Sequence, residues 1–199
     1  MRLLLIRHGQ TEANVNRQLD TAYPGLPLNE RGLGQADALV EALSHEPIDA
    51  MYASILTRAQ QTAAPLAAAR GLEPVVIDGI QEISAGVEEM STDWRKYLEV
   101  LMSWAPDNMD VGLEDGETAR EFLARFDAAI AEVEEKGHDR VAVVSHGAAL
   151  RVWAITQDPD LGMDNAAPLD NTQWIVLNGS TADGWKIERW GGYVAPTDA

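Results

Sequence analysis

Short apolar runs alternate with amphipathic stretches along most of the chain. Continuous or alternating apolar runs of four to eight residues predict strands, whereas apolar residues spaced three or four apart predict helices. The predicted strands cover residues 3–6, 48–54, 73–78, 140–145, 171–178 and 184–190. The predicted helices cover about residues 33–43, 55–70, 117–136 and 148–156. Strands that alternate with helices are typical of an α/β fold, here a three-layer α/β/α sandwich with a mostly parallel central sheet.

Local signals refine the ends of these elements. Ser54 is placed to cap the second helix and Gly71 to end it, while Pro65 predicts a kink or an early break. The Asp183-Gly184 pair predicts a hairpin between the last two strands. Residues 83–115 show weak periodicity, which predicts an irregular or partly helical insertion over one end of the sheet.

Composition restricts the class of protein. The chain has 199 residues, of which 46% are hydrophobic, so we expect one globular domain over residues 1–199 with the insertion at about 83–115 above its active site. The net charge of -17 disfavours nucleic-acid binding, and the absence of cysteine excludes disulfides and thiolate chemistry. No apolar run is long enough to cross a bilayer and no signal peptide is evident, which predicts a cytoplasmic protein with no membrane partner.

Two strands end in the same unusual way. The apolar run at residues 3–6 continues directly into Arg7, His8 and Gly9, and the run at 140–145 continues directly into His146 and a glycine. In parallel sheets ligands bind beyond the carboxyl ends of the strands, so two such strands would direct two imidazoles into one crevice. One histidine at a strand end is usually structural, but two in the same context favour a site.

Four stretches in order carry a family resemblance: "LIRHGQTEAN", "SILTRAQQTA", "DGIQEI" and "VVSHGAAL". Together they resemble the histidine phosphatase superfamily, also called the phosphoglycerate mutase-like family. The "DGET" before the long helix resembles a further motif of that family, and the likeness covers about residues 2–155. The resemblance implies a phosphoglycerate mutase-like fold and chemistry on phosphate esters.

The resemblance implies a role for each matched residue. His8 attacks phosphorus as a neutral imidazole and forms a phosphohistidine. The transferring phosphoryl group is then held by donors that suit its three equatorial oxygens, namely Arg7, Asn14, Arg58, His146 and the backbone near Gly147. Glu82 matches the family's proton donor, with Asp78 as the nearby competitor. No cofactor and no metal are expected, because these donors already supply the positive charge.

The same residues permit three activities. Hydrolysis of small phosphomonoesters is the first, phosphoryl transfer of the mutase type is the second, and binding without turnover on the same fold is the third. Mutases of the family carry extra basic residues in the insertion, whereas residues 83–115 hold only Arg95 and Lys96 against eight acidic residues. The family's Trp-Glu-Gly-like stretch reads "GVEEM" here, although Trp94 and Trp104 are placed to line a substrate pocket.

We therefore favour a metal-independent phosphatase, a phosphoric monoester hydrolase of the histidine acid phosphatase type. Its expected partner is a small phosphorylated metabolite. Sugar phosphates, phosphoglycerate derivatives, nucleotides and a cobalamin-pathway ester all stay open, as does the choice between a monomer and a homodimer.

Overall fold

The computed structural model describes residues 1–158, 161, 166–191 and 193–194. Seven strands in this part of the chain form one sheet. Their bounds are β1 Arg2–Arg7, β2 Ala50–Ser54, β3 Val75–Ile77, β4 Arg140–Ser145, β5 Trp174–Ser180, β6 Gly184–Trp190 and β7 Tyr193–Val194. The six strands predicted from the sequence are therefore present, each within a few residues of its expected ends.

Six α-helices accompany the sheet in the described residues. Their bounds are α1 Glu12–Asn16, α2 Glu30–Ala42, α3 Thr57–Arg70, α4 Arg95–Ser103, α5 Ala119–Glu135 and α6 Gly147–Gln157, with a 3₁₀ turn at Gly86–Glu88. Within the residues that the structure describes, no helix combines the length and the apolar character needed to cross a membrane.

The strand order places the two histidine-bearing strands side by side. The order is β3-β2-β4-β1-β5-β6-β7, with β1 to β4 mutually parallel and β5 to β7 antiparallel at one edge. In the β1–β4 pair, Arg7 lies opposite Ser145, so the residues that follow each strand leave the sheet at the same edge.

Two hydrophobic clusters cover the two faces of the sheet. One joins α5 and α6 to the sheet through residues such as Phe122, Phe126 and Trp153. The other joins α2 and α3 to the opposite face through Leu39 and Leu66. Alternate side chains of each central strand enter opposite clusters, as the two-residue repeat of a strand requires. The predicted three-layer α/β fold is thus confirmed, with an antiparallel edge added to its parallel half.

The predicted Ser54 cap of α3 and the predicted early break at Pro65 are wrong. The N-cap of α3 is Leu56, without a side-chain cap, and the Ser54 hydroxyl instead accepts the Leu56 N–H at 3.3 Å and contacts His146. The helix also continues through Pro65 to Arg70. Its buried face packs on the sheet, and tertiary packing of this kind outweighs the local cost of one missing hydrogen bond. Gly71 ends the helix in the left-handed conformation, as predicted.

The weakly periodic insertion at 83–115 is partly helical, since it contains the 3₁₀ turn and α4. It is attached to the loop that follows α1. The Glu89 carboxylate accepts hydrogen bonds from the backbone N–H and the hydroxyl of Thr21, and Met90 N–H donates to Leu19 O at 2.7 Å. The "GVEEM" departure from the family pattern therefore supplies an anchor between two segments that border the site.

Candidate active site

The two strand-end imidazoles lie together. The ring centroids of His8 and His146 are 5.1 Å apart, and both side chains are buried. Neighbouring strands are about 4.8 Å apart, so this separation is what two residues at the ends of adjacent strands should show. The repeated strand–His–Gly arrangement thus brings the two imidazoles together at one edge of the sheet.

Hydrogen bonds define the tautomer of His8. Nδ1 lies 2.7 Å from the carbonyl oxygen of Gly9, which only accepts, so Nδ1 carries the proton. Nε2 accepts a hydrogen bond from Nε of Arg58 at 3.1 Å. An imidazole with a donating Nδ1 and an accepting Nε2 is neutral, and its Nε2 lone pair faces the cationic group. This is the form that a nitrogen nucleophile needs.

The surroundings stabilise that neutral form. Burial lowers the pKa of His8 well below its usual range, and the nearby guanidinium groups of Arg58 and Arg7 lower it further. The pKa of His146 is lowered well below its usual range by burial and then by Arg58 and His8. Desolvation and positive neighbours both disfavour a second positive charge. Burial and the two guanidinium groups therefore both favour the unprotonated Nε2 of His8 over the imidazolium.

Arg58 enters the site from the first turn of α3 and is held by the loop after α1. Its Nη1 lies 3.3 Å from the Asp20 carboxylate and its Nη2 donates to Asp20 O at 2.8 Å, with both side chains buried. Gly25 lies beside it with φ at +68°, and a Cβ there would lie 2.3 Å from Nη1 of Arg58. The loop after α1 thus leaves room for the guanidinium and orients it.

Arg7 and His146 each keep a buried nitrogen atom without a partner. Among the described residues only Arg7 Nε, His146 Nδ1 and Trp174 Nε1 are buried side-chain nitrogens that lack a hydrogen bond. Arg7 Nη1 donates to Leu169 O. Unsatisfied buried polar groups are costly and concentrate where a ligand completes the bonding. Two of the three belong to Arg7, which precedes His8 in the chain, and to His146, whose ring packs against that of His8. A bound anion would accept from Arg7 Nε–H, and from His146 in the tautomer that carries its proton on Nδ1.

Glu82 lies at the N-terminus of α6. One carboxylate oxygen accepts from the backbone of Ala149 at 2.8 Å and Ile83 at 3.0 Å, and the other accepts from Ala148 at 3.1 Å. The first N–H groups of a helix have no partner within it, so this carboxylate caps α6 from a separate segment. Glu82 lines the same cavity as His8. Its position brings a carboxyl group to the site of the expected proton transfer.

Arg125 on α5 and Glu117, which precedes α5, hold the segment that bears Glu82. Arg125 donates to the carbonyl oxygens of Gly79 at 2.7 Å, Gln81 at 3.0 Å and Glu82 at 3.0 Å. It also pairs with Glu117, whose carboxylate accepts the N–H of Ser84 at 2.8 Å. The guanidinium group of Arg125 therefore holds three carbonyl groups of the loop that bears Glu82.

Two of the remaining predicted residues line the cavity, and the third does not. Asn14 and Gly147 line the cavity with His8. The Asn14 side-chain oxygen accepts from the backbone of Thr11 and from Asn171, both at 3.1 Å, which fixes the orientation of the amide. Asp78 is exposed, and it is not among the described residues that line the cavity. The geometry therefore favours Glu82 over its competitor.

Sequence reasoning missed Asp20, Ser54 and Arg125 as contributors to the site. Asp20 and Arg125 are ordinary charged residues in the sequence, and only the fold brings them to Arg58 and to the Glu82 loop. Ser54 lies 2.9 Å from Nε2 of His146, across a large sequence separation. The "DGET" stretch was the one available signal, since its Glu117 is the partner of Arg125.

A cavity of about 990 Å³ opens beside His8, whereas His146 is fully buried and is not among the described residues that line it. Trp94 and Trp104 of the insertion both line it, as predicted. In the described residues no group of three or more His, Asp and Glu side chains is arranged to hold a metal ion.

Comparison with known proteins identifies relatives of the whole chain. A family model described as the histidine phosphatase superfamily (branch 1) matches residues 3–192. Phosphoserine phosphatase 1 of Hydrogenobacter thermophilus is 32% identical over 89% of this chain and 86% of its own length. The PE-PGRS family protein PE_PGRS11 of Mycobacterium tuberculosis is 31% identical over 94% of this chain, which spans only 36% of that protein.

Solved structures agree with the sequence relatives. A mycobacterial glucosyl-3-phosphoglycerate phosphatase in complex with VO3 superposes with a TM-score of 0.78 at 25% identity, over 96% of this chain and 99% of its own. An α-ribazole phosphatase from Shigella flexneri superposes with a TM-score of 0.75 at 26% identity, over the full length of both chains. With its two buried histidines at adjacent strand ends, the chain belongs to the histidine phosphatase superfamily.

Proposed function

We propose that this protein is a phosphatase that hydrolyses phosphomonoesters of small metabolites through a phosphohistidine on His8, without a metal ion. The observation that carries the proposal is the state of His8. Its Nδ1 proton is bound to Gly9 O, and its Nε2 lone pair faces Arg58 in a buried cationic pocket. The phosphatase relatives support hydrolysis of phosphate esters as the reaction.

The first half-reaction forms one bond and breaks one. The Arg58 Nε–H moves from His8 Nε2 to a phosphoryl oxygen, which frees the lone pair. His8 Nε2 then attacks phosphorus while the bond between phosphorus and the ester oxygen breaks. A protonated Glu82 gives its proton to the leaving alkoxide, so the alcohol leaves neutral. Arg7, Arg58 and His146 surround the phosphoryl oxygens, where negative charge is spread in the transition state. The unpartnered Arg7 Nε and His146 Nδ1 then gain an acceptor.

The second half-reaction returns the enzyme to its starting state. A water molecule attacks phosphorus and the bond to Nε2 breaks, while Glu82 takes the proton that the water loses. Inorganic phosphate leaves, and His8 is again neutral with Nδ1 bound to Gly9 O. The protonated Glu82 starts the next cycle, so protons and charge balance over the two steps.

Phosphoryl transfer of the mutase type has less support. The insertion's only cations are Arg95, which pairs with Asp93, and Lys96, which pairs with Glu88. Both cationic side chains are exposed. They do not line the cavity, so neither is placed to hold the carboxylate of a sugar-acid substrate.

A quench experiment tests the proposal. The protein is mixed with a ³²P-labelled aryl phosphate, stopped within milliseconds and digested, and we expect acid-labile, base-stable label on His8. His45→Ala is the matched control because His45 is exposed and outside the site, so it should label like the wild type. His8→Ala should carry no label, and a chelator should leave the steady-state rate unchanged.

The opposite results are equally specific. Label on His146, or phosphate release from folded protein without any labelled histidine, would remove His8 as the nucleophile. Loss of activity in chelator that zinc or magnesium restores would refute the metal-independent mechanism.

A further inference from the structure

The cavity beside His8 is far larger than a phosphoryl group needs. Its volume of about 990 Å³ is that of about 30 water molecules at their liquid volume. Ligand pockets span roughly 300–1,000 Å³, so this one is at the upper end of that range. Because Arg7, His8 and Arg58 line it together with residues of the insertion, it is continuous with the phosphate site.

Apolar side chains form most of the wall away from the histidines. They come from α4, α5 and α6 and include Leu98, Leu101, Met102, Leu123, Val152 and Ile155. The cations that line it are Arg7, Arg58 and Arg151, and Arg151 Nε is already bound to Ala166 O at 2.7 Å. Two of these three cations, Arg7 and Arg58, belong to the phosphate end of the cavity.

The rim of the cavity leaves apolar surface exposed to solvent. Leu98 and Met102 lie one turn apart on α4 and are 44% and 81% exposed. Residues four apart share one face of a helix, and here that face borders the cavity. A bound apolar group would remove both side chains from water, which is favourable in proportion to the area covered.

We infer that the substrates are phosphomonoesters with a large apolar alcohol group, alkyl or aryl, which occupies this cavity. The inference rests on the proposed phosphatase function and specifies its substrate class. The phosphoryl group binds at His8 with Arg7 and Arg58, and the alcohol group extends along α4. A compact, highly hydroxylated or carboxylated alcohol would leave most of the apolar wall in contact with water.

A homologous series of n-alkyl phosphates tests the inference, because the leaving alcohols are chemically alike and differ in apolar length. Burial of one methylene group is worth about a fourfold change in an equilibrium or specificity constant. We expect kcat/KM to rise at least tenfold from propyl to hexyl phosphate, where full burial of three methylenes would give about 60-fold. The compact polar esters 3-phosphoglycerate and glycerol 3-phosphate should not exceed propyl phosphate.

Variants of the rim locate the effect. The double variant Leu98→Ser with Met102→Ser should lower the hexyl-to-propyl ratio of kcat/KM at least threefold, since two apolar contacts are lost. Leu33→Ser is the matched control, because Leu33 is also an exposed helical leucine but lies on α2 outside the cavity. That control should keep both the activity and the ratio of the wild type.

Binding of n-alkylphosphonates, measured by calorimetry, separates this inference from the proposed function, because their phosphorus–carbon bond is not hydrolysed. Affinity that rises with chain length in a protein that hydrolyses no ester would support the apolar cavity and overturn the phosphatase proposal. Ester hydrolysis that does not depend on chain length would agree with the proposed phosphatase function but overturn the inference that the cavity binds an apolar alcohol group. Preference for 3-phosphoglycerate or glycerol 3-phosphate over hexyl phosphate would also overturn it.

Discussion

Replacing Arg125 by methionine should disturb proton transfer more than phosphate binding. Arg125 touches neither His8 nor the phosphate-binding arginines in any hydrogen bond, but it holds the carbonyl oxygens of Gly79, Gln81 and Glu82. Methionine keeps much of the aliphatic stem and removes the guanidinium fork. The loop that bears Glu82 then loses its attachment to α5, while the rest of the site keeps its contacts. Arg125 would thus position Glu82, the proposed proton donor.

The magnitude follows from the bonds that are lost. The three hydrogen bonds to partly buried carbonyl groups, at a net value of about 0.5–1.5 kcal/mol each, alone contribute about 1.5–4.5 kcal/mol to the free energy of unfolding, and the ion pair with Glu117 is lost in addition. For catalysis, a displacement of about 1 Å costs up to about 100-fold. We therefore expect kcat for an alkyl phosphate to fall about 10–100-fold, because an alkoxide needs the proton. An aryl phosphate should lose no more than about threefold, since an aryl oxide leaves with little help.

The assay compares hexyl phosphate with 4-nitrophenyl phosphate in the same preparations and follows unfolding in urea. Arg120→Met is the matched control, because Arg120 is on the same helix and pairs with Asp110 in solvent. It should change neither rate nor stability measurably. Arg125→Lys keeps the charge without the fork, so it should restore only part of the alkyl rate. If Arg125→Met lowers both esters by the same factor, the residue stabilises the fold without positioning Glu82.

Three further predictions follow from the geometry. Glu82→Gln should lose about 10²–10⁴-fold on hexyl phosphate but far less on 4-nitrophenyl phosphate, and equal losses would exclude it as the proton donor. Burial lowers the pKa of His8, so the unfolded chain binds a proton there below about pH 6.5 that the folded chain does not, and stability falls as the pH drops. The free energy of unfolding, measured in urea, should therefore depend less steeply on pH in His8→Gln than in the wild type, by up to about 1.4 kcal/mol per pH unit. Gly147→Ala places a Cβ 3.1 Å from Arg7 Nε and should raise the inhibition constant of phosphate, whereas Gly34→Ala, in open space, should not.

Local sequence determined the edge of the sheet at which the two histidines lie. The apolar runs before His8 and His146 are long enough to be buried strands. Because such a strand is covered on both faces, it ends where the polar residues begin. Both histidines therefore follow the carboxyl ends of parallel strands. The amphipathic stripe of α5 and the left-handed Gly71 after α3 were equally readable, because each depends on residues close in the chain.

The tertiary structure alone decided which groups complete the site. Sequence spacing does not show that β1 lies beside β4, that Asp20 holds Arg58, or that Ser54 contacts His146 rather than capping α3. Such contacts join positions far apart in the chain, and no hydrophobic period or turn signal encodes them. The apolar cavity is decided in the same way, because its wall combines α4, α5 and α6, and its shape exists only once those helices are packed.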